Sequence, residues 1–315
     1  MTSLSIIIVN WNSTDYLHLC LDSVYRETKG ISVDVIVVDN ASHDDSCAEL
    51  IRTEFPNTLL YRSKENLGFA RGSNLGYELS HGDYLLFLNP DTEIHSDVFT
   101  RMASELGLNK KNGAVGSRLI NSDGSLQSSC IRTYPTILNQ LLDSELLRNK
   151  FPTSQLWGMR PLFVSNTKPV RVDVISGACL MIKREVFLQV GKFDDKYFMY
   201  VEDIDLCHRV TTSGYAIQYI NDCEVVHHGG KSSALQGDYF ANLHQQEAIL
   251  QFFSVTRGEW YSFLYRFCLV FSAVLRLILI ISLLPFRGTV HKTTSWQFSY
   301  RKWACIFRWA IGLEV

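Results

Sequence analysis

The side chains able to do chemistry gather in a few short stretches of this 315-residue chain. The densest is Glu202–Asp203–Ile204–Asp205, which follows Phe198, Met199, Tyr200 and Val201. Carboxylates among apolar neighbours sit in a partly dry cleft. Burial and a neighbouring like charge then raise the proton affinity of one of them, as a general base requires. Acidic residues are equally the common first turn of a helix. Asn89–Pro90–Asp91–Thr92 brings one carboxylate, Asp91, that can hold Mg²⁺ or Mn²⁺ bridging a diphosphate, because hard cations take protein and substrate oxygens together. The same residues also suit a plain turn. At His227–His228 a neutral imidazole can complete a metal site or meet a diphosphate oxygen. Adjacent histidines point different ways, so at most one of the two sits against the ligand. Lys231, beyond Gly229 and Gly230, can neutralise phosphate as that loop closes.

Two further segments suit nucleotide recognition. Asp39 offers a directional acceptor to a base or a ribose hydroxyl. In Glu65–Asn66–Leu67–Gly68–Phe69–Ala70–Arg71–Gly72, the glycines Gly68 and Gly72 let backbone approach a ligand, and Arg71 can meet a phosphate near a helix start. Neither a GxGxxG fingerprint nor a phosphate-binding P-loop is present.

These groups need a scaffold, and the apolar pattern supplies one. Leu4 to Val9, Val33 to Val38, Leu59 to Tyr61 and Tyr84 to Leu88 read as strands. Helices follow Ser13 or Thr14, span about Asp45 to Glu54, and occupy 71–80. Continuous apolar strands alternating with helices imply an α/β fold with a mostly parallel sheet covered on both faces. Ligands of such sheets bind beyond the carboxyl ends of the strands. Asn10 to Asn12, Asp39 to Ser42 and Asn89 to Asp91 all fall there. Further on, 96–107 reads as a helix, Ala114 to Ser117, Val172 to Ile175 and Ala178 to Ile182 as strands, and Lys183 to Val190 and Asp203 to Thr212 as helices. Tyr215 to Ile220 and Glu224 to Val226 read as two short strands. The stretch 121–170 reads as an acceptor-side insertion without clear periodicity.

The composition divides the chain. There are 30 Lys+Arg and 32 Asp+Glu in all, but residues 256–315 hold eight basic and two acidic ones. An acidic body with a basic, apolar tail argues against nucleic acid as a partner and suits an anionic membrane surface. In the tail, Phe267 to Leu275 and Leu277 to Phe286 are apolar runs separated by Arg276. Aromatic and basic residues then alternate through Trp296, Arg301, Trp303 and Arg308, the pattern of a helix in the headgroup region. Such runs can span, re-enter or lie on a bilayer, or pair between two copies of the chain. Eight cysteines without a CxxC pair suggest buried thiols in a reducing compartment. The start of the chain lacks a signal-peptide pattern, which places residues 1–255 in the cytosol, on the cytoplasmic face of the cell membrane.

In order and spacing, Ser5-to-Asn12, Val37–Val38–Asp39–Asn40–Ala41–Ser42, Glu65-to-Ala70, Asn89–Pro90–Asp91, Ser176–Gly177–Ala178, Gly191-to-Asp194, Phe198-to-Asp205 and Val226–His227–His228 resemble the inverting glycosyltransferases of family 2, GT-A fold, in their bacterial rhamnosyltransferase-like branch. The resemblance covers about residues 3–250. It implies a GT-A domain over 1–255 and a membrane-associating helical tail over 256–315. It implies a nucleotide-sugar donor, with Asp39 at the base and Asn10, Asn66, Gly68, Arg71 and Asn89 around the donor. Asp91 matches the last acid of the family's DxD metal motif, Asn89 standing where its first Asp would be. His227 matches a metal-binding position, Asp203 the catalytic base, and Glu202 its supporting or acceptor-orienting neighbour. His228 and Lys231 remain phosphate candidates. The implied cofactor is Mg²⁺ or Mn²⁺. The implied acceptor is lipid-linked or a glycan, in cell-surface polysaccharide or cell-wall assembly, with dTDP-rhamnose as donor. UDP-hexose or UDP-N-acetylhexosamine donors are the alternative within the family. An inactive membrane-anchored scaffold is the alternative outside it, with Asn89 in its favour and the intact Asp91, Glu202, Asp203 and His227 against it.

Overall fold

The computed structural model describes residues 3–28, 30–142, 144–165, 168–229, 240–283 and 293–313. The chain divides into two compact units: Met1–Tyr134 with Glu145–Ser232, and Pro135–Ser144 with Ser233–Val315.

The first unit opens with alternating strands and helices: β1 (Ser3–Asn10), α1 (Thr14–Glu27), β2 (Ser32–Asp39), α2 (Ser46–Glu54), β3 (Leu59–Arg62), α3 (Gly68–Glu78) and β4 (Tyr84–Leu88). The core of this half is the apolar strand runs themselves. Leu4, Ile6, Ile7 and Ile8 of β1, Val37 and Val38 of β2, and Leu85 to Leu88 of β4 are almost fully buried. A strand covered by helices on both faces must be apolar at every position rather than at alternate ones. Leu17, Cys20, Leu21 and Val24 form the inward stripe of α1, at the three-and-four spacing a helix requires.

The chain continues through β5 (Thr92–Ile94), α4 (Val98–Leu108), β6 (Asn112–Ile120) and β7 (Ile131–Arg132). A short helix, α5 (Ile137–Leu141), belongs to the second unit. The first unit resumes with α6 (Glu145–Lys150), β8 (Val170–Arg171), β9 (Val174–Ile175), β10 (Cys179–Lys183), α7 (Arg184–Gln189), α8 (Glu202–Thr212) and β11 (Ala216–His227). The large sheet has the order β3-β2-β1-β4-β10-β6-β11-β5, with β8 also on β11, and β7 pairs β9 in a small ribbon. β1 to β4 are parallel to their neighbours among themselves, and β6 is parallel to β11. β10 runs antiparallel between β4 and β6, and β5 antiparallel to β11.

The expected mostly parallel sheet is therefore present, with reversed strands inserted. Thr92 and Glu93, which in sequence also suit a turn, lie in strand β5. The two short strands expected at 215–226 are one strand, β11, whose register shifts between Ile220 and Glu224. The stretch 121–170 contains β7, α6 and a 3₁₀ turn at Arg160–Phe163. Its elements are too short to show a period.

Register levels the strand ends. Asn10 stands opposite Asp39, Asp39 opposite Arg62, and Ile8 opposite Leu88. At the far side His227 faces Thr92, next to Asp91. All eight cysteines are free, and six of them are buried.

The second unit adds α9 (Phe240–Arg257), α10 (Glu259–Leu283) and α11 (Thr293–Ala310). As far as Leu283 the two apolar runs separated by Arg276 are one continuous helix, α10, and 284–286 lie outside the described residues. Among the described residues, Glu259–Ser282 is the helix long and apolar enough to cross a membrane, by length and composition.

Candidate active site

Asp39 ends β2 and is 1% exposed. Its Oδ2 lies 3.5 Å from Nε of Arg62, while its buried Oδ1 has no hydrogen-bond partner. A buried acceptor without a donor carries a desolvation cost that a ligand hydroxyl or N–H would relieve. Arg62 also reaches Asp45 at 2.8 Å. Arg62 is not among the residues singled out in the sequence, because an arginine closing a short exposed strand carries no motif.

Next to Asp39, Asn40 fastens the following loop. Its Nδ2 donates to Oδ1 of Asn66 at 2.9 Å and to the carbonyl of Gly68 at 3.2 Å, and its Oδ1 accepts from the Leu67 N–H at 2.8 Å. Asn66 Oδ1 also accepts from the Gly68 N–H at 2.9 Å. Asn66 thus shapes the loop. Gly68 has φ +73°, and a Cβ there would collide with the Phe198 carbonyl. That carbonyl accepts from the Phe69 N–H at 2.9 Å. At Gly72 a Cβ would press on Val9. The close approach these glycines show is to the protein itself. Arg71 is exposed and lies 3.5 Å from Glu65. Asn10 is fully buried, accepting from Ser13 Oγ at 2.9 Å and donating to Ser42 Oγ at 3.4 Å, so it holds two strand-end loops together.

Phe198 leads into the acidic cluster. Tyr200 and Val201 both have φ +68°. A β-branched residue rarely adopts that conformation, and such strain costs on the order of 1–3 kcal/mol where it persists. The turn aims the first residues of α8. Asp203 Oδ2 accepts from the Gly177 N–H at 3.0 Å and its Oδ1 from the Ile204 N–H at 2.8 Å, so the carboxylate is fixed but not fully buried. Glu202 is buried, with Oε2 unpartnered. Burial, reinforced by the charge of Asp203, pushes its carboxyl up to about 8, against an opposing pull from Arg132. Arg132 is an exposed cation on β7, a residue the sequence did not single out. Asp205 has a different task. It pairs with Arg209 at 2.6 Å, and Arg209 donates to the Lys192 carbonyl at 2.6 Å, tying α8 to the turn after α7.

Beside Gly177, the Ala178 carbonyl accepts from the Asn89 N–H at 3.0 Å. Asn89 Nδ2 lies 3.2 Å from His227 Nε2, which is also 3.2 Å from Oδ1 of Asp91. His227 Nδ1 lies 2.7 Å from Oε1 of Gln127. Gln127 Nε2 donates to Oδ1 of Asn121 at 3.0 Å, which turns its carbonyl oxygen toward the imidazole. That leaves Nε2 as the ring nitrogen turned toward Asp91 and Asn89. An imidazole oriented in this way through its other nitrogen suits a cation. His228 points elsewhere: Nε2 is 2.6 Å from Glu93 and Nδ1 is 2.7 Å from Ser122 Oγ. The two histidines diverge as their adjacency implies. Lys231 lies outside the described residues.

The contacts form one chain: Asn40, which follows Asp39, to the 66–68 loop, that loop to Phe198, the Phe198 turn to Asp203, Asp203 to Gly177, Ala178 to Asn89, and Asn89 to His227, with Asp91 beside His227. Groups far apart in sequence are therefore linked along the strand ends of the sheet.

The fold has close counterparts among solved structures. The crystal structure of GalNAc-T7 with UDP, GalNAc and Mn²⁺ matches 99% of this chain and 56% of its own length, at TM-score 0.63 and 15% identity. A mannosyltransferase from Pyrobaculum calidifontis in complex with GDP-Man and Mn²⁺ matches 98% of this chain and 86% of its own, at TM-score 0.57 and 16% identity. The architecture is that of the GT-A glycosyltransferases. Within that class the chain belongs to glycosyl transferase family 2, whose model matches residues 5–191. It is a glycosyltransferase of rhamnosyltransferase-like type. A curated relative is the N-acetylglucosaminyl-diphospho-decaprenol L-rhamnosyltransferase of Mycobacterium tuberculosis, 26% identical over 87% of this chain and 91% of its own. Another is the rhamnosyltransferase WbbL of Escherichia coli, 28% identical over 71% of this chain and 82% of its own.

Proposed function

We propose that this chain transfers L-rhamnose from dTDP-rhamnose to a lipid-linked, diphosphate-bearing acceptor in the assembly of a cell-surface glycan, with inversion at the anomeric carbon. The observation that carries the reading is the pairing of Asp203, fixed by the Gly177 and Ile204 N–H groups, with Asp91 and His227 across the Ala178–Asn89 contact. The names of the two rhamnosyltransferase relatives support the sugar and, for one of them, the lipid diphosphate.

In this mechanism the acceptor hydroxyl attacks the anomeric carbon while the bond to the donor's diphosphate breaks. The electron pair leaves with the diphosphate, and the hydroxyl proton passes to Asp203. Burial holds the proton on Glu202, which leaves Asp203 as the acceptor of the hydroxyl proton. Arg132 stands near the pair as a cation for an acceptor phosphate. Asp39 takes the base or ribose through its unpartnered Oδ1.

A divalent cation, Mg²⁺ or Mn²⁺, fits the residues present. Asp91 would provide a carboxylate and His227 an imidazole nitrogen 3.2 Å from it, and hard cations take such protein groups together with diphosphate oxygens. When bound, the cation supplies charge stabilisation to the leaving diphosphate. Asn89, in place of an acid, lowers the charge of this donor set. We assign catalysis to the first unit and attachment to the cytoplasmic face of the membrane to the second.

The test is a donor screen. Purified protein receives dTDP-rhamnose, UDP-glucose, UDP-galactose or UDP-N-acetylglucosamine with Mn²⁺ and a diphospholipid acceptor, and nucleoside diphosphate release is followed. dTDP-rhamnose is expected to give the highest turnover. Preference for a UDP-sugar overturns the sugar assignment, and no turnover with any donor overturns the reading.

A further inference from the structure

Among the described residues, the second unit carries an exposed apolar face along α10. Along α10, Trp260, Phe263, Phe267, Phe271, Ile278 and Ile281 are each more than half exposed, Trp260 reaching 85%. Their spacing of three, four and seven residues keeps them on one stripe, about 30 Å long at 1.5 Å per residue. The opposite stripe, Ser262, Tyr265, Leu269 and Ala273, is buried.

Both arginines of α10 are held away from the exposed stripe. The Arg276 guanidinium stacks 4.3 Å from the ring of Trp303 on α11, and its Nη2 donates to the Leu141 carbonyl of α5 at 2.7 Å. Arg266 donates to the carbonyls of Ala310 at 2.7 Å and Trp309 at 3.1 Å, closing the end of α11. These contacts run α11 beside α10 in the opposite direction. Arg301 and Arg308 of α11 are exposed. If α10 crossed a bilayer, its partner would carry those cations into hydrocarbon, which is costly. Lying in the interface satisfies both faces: the aromatic stripe meets acyl chains and the cations meet anionic headgroups.

We propose that α10 lies in the plane of an anionic bilayer, with the Trp260-to-Ile281 stripe in the acyl-chain boundary and Arg276 and Arg266 on the protein side. The proposal rests on the membrane reading above and selects the in-plane arrangement. The occupant of the stripe is lipid rather than a second copy of the chain, because the tail's eight basic against two acidic residues complement anionic lipid and would repel a like surface.

The test uses the full chain with Cys268→Ser and Cys305→Ser, and one nitroxide at a time on Trp260→Cys, Phe271→Cys or Ile281→Cys. Vesicles contain phosphatidylcholine and phosphatidylglycerol. Oxygen and nickel accessibility report depth. All three labels are expected at a similar shallow depth, roughly 5–10 Å below the phosphates. A Phe271 label at the bilayer centre, with the other two at opposite surfaces, overturns the in-plane arrangement while leaving membrane attachment intact. Failure of the chain to float with vesicles overturns the membrane reading itself. A dimer in solution whose labels are shielded by protein assigns the stripe to a second copy and also overturns the proposal. Arg301→Gln with Arg308→Gln is expected to lower vesicle partitioning about thirty-fold, from about fivefold per charge. Unchanged partitioning removes the headgroup contact from the argument.

Discussion

Glu202 links the energetics of the fold to the chemistry of the site. Its carboxyl is buried beside Asp203, and it holds its proton up to about pH 8, against an ordinary value of 4.5. Below pH 4.5 the folded and unfolded chains both carry the proton, so the group is neutral to stability. Between 4.5 and 8 the unfolded chain releases it and the folded chain retains it, so stability falls as pH rises. Each pH unit of that window costs roughly 1.4 kcal/mol at most, giving a loss of a few kcal/mol by pH 8. Glu202→Gln removes the titration. The amide brings an N–H₂ group with its own burial cost, but that cost does not vary with pH. Urea unfolding followed by fluorescence from pH 5 to 8.5 is the measurement. Relative to the parent chain, the variant is expected to gain stability steadily through the window and level off above pH 8. Parallel stability curves would refute the buried, neutral Glu202. The same state makes a catalytic forecast: at pH 7 Glu202→Gln keeps turnover within about tenfold, because glutamine mimics the protonated acid. A loss as large as that of a proton acceptor, roughly 10²–10⁴-fold, would transfer the base role to Glu202.

Three other outcomes follow from the geometry. Asp203→Asn is expected to lose roughly 10²–10⁴-fold in turnover while retaining nucleotide affinity by calorimetry, and comparable turnover would remove it from the base role. Gln127→Leu is expected to weaken Mn²⁺ binding in the presence of nucleoside diphosphate by about 10–100-fold with little change in Tm, measured by electron paramagnetic resonance; His227→Ala serves as the reference, and an effect in His227→Ala alone would limit Gln127 to packing. Gly68→Ala forces φ +73° on a side chain and drives its Cβ into the Phe198 carbonyl, so a loss of about 1–3 kcal/mol in urea unfolding is expected, and an unchanged midpoint would show that the loop can move aside.

Much of this protein is legible without coordinates. Apolar runs such as Leu4 to Val9 and Tyr84 to Leu88 can only be strands buried on both faces, and the helices between them impose parallel pairing. That places Asp39, Asn89 and Asp91 at strand ends before any contact is known. These are local properties: period, run length and the residue that ends each run. The tertiary structure decided what depends on neighbours distant in sequence. It divided the acids of 202–205 into a carboxylate held by two backbone N–H groups, a buried acid of raised proton affinity and an ion pair, through the Tyr200–Val201 turn, Gly177 and Arg209. It supplied Gln127 to His227 from a stretch without periodicity, and turned Arg276 of a long apolar helix onto Trp303 and Leu141. A side chain's direction and its partners are set by packing, and composition and spacing carry no record of which distant segment will supply them.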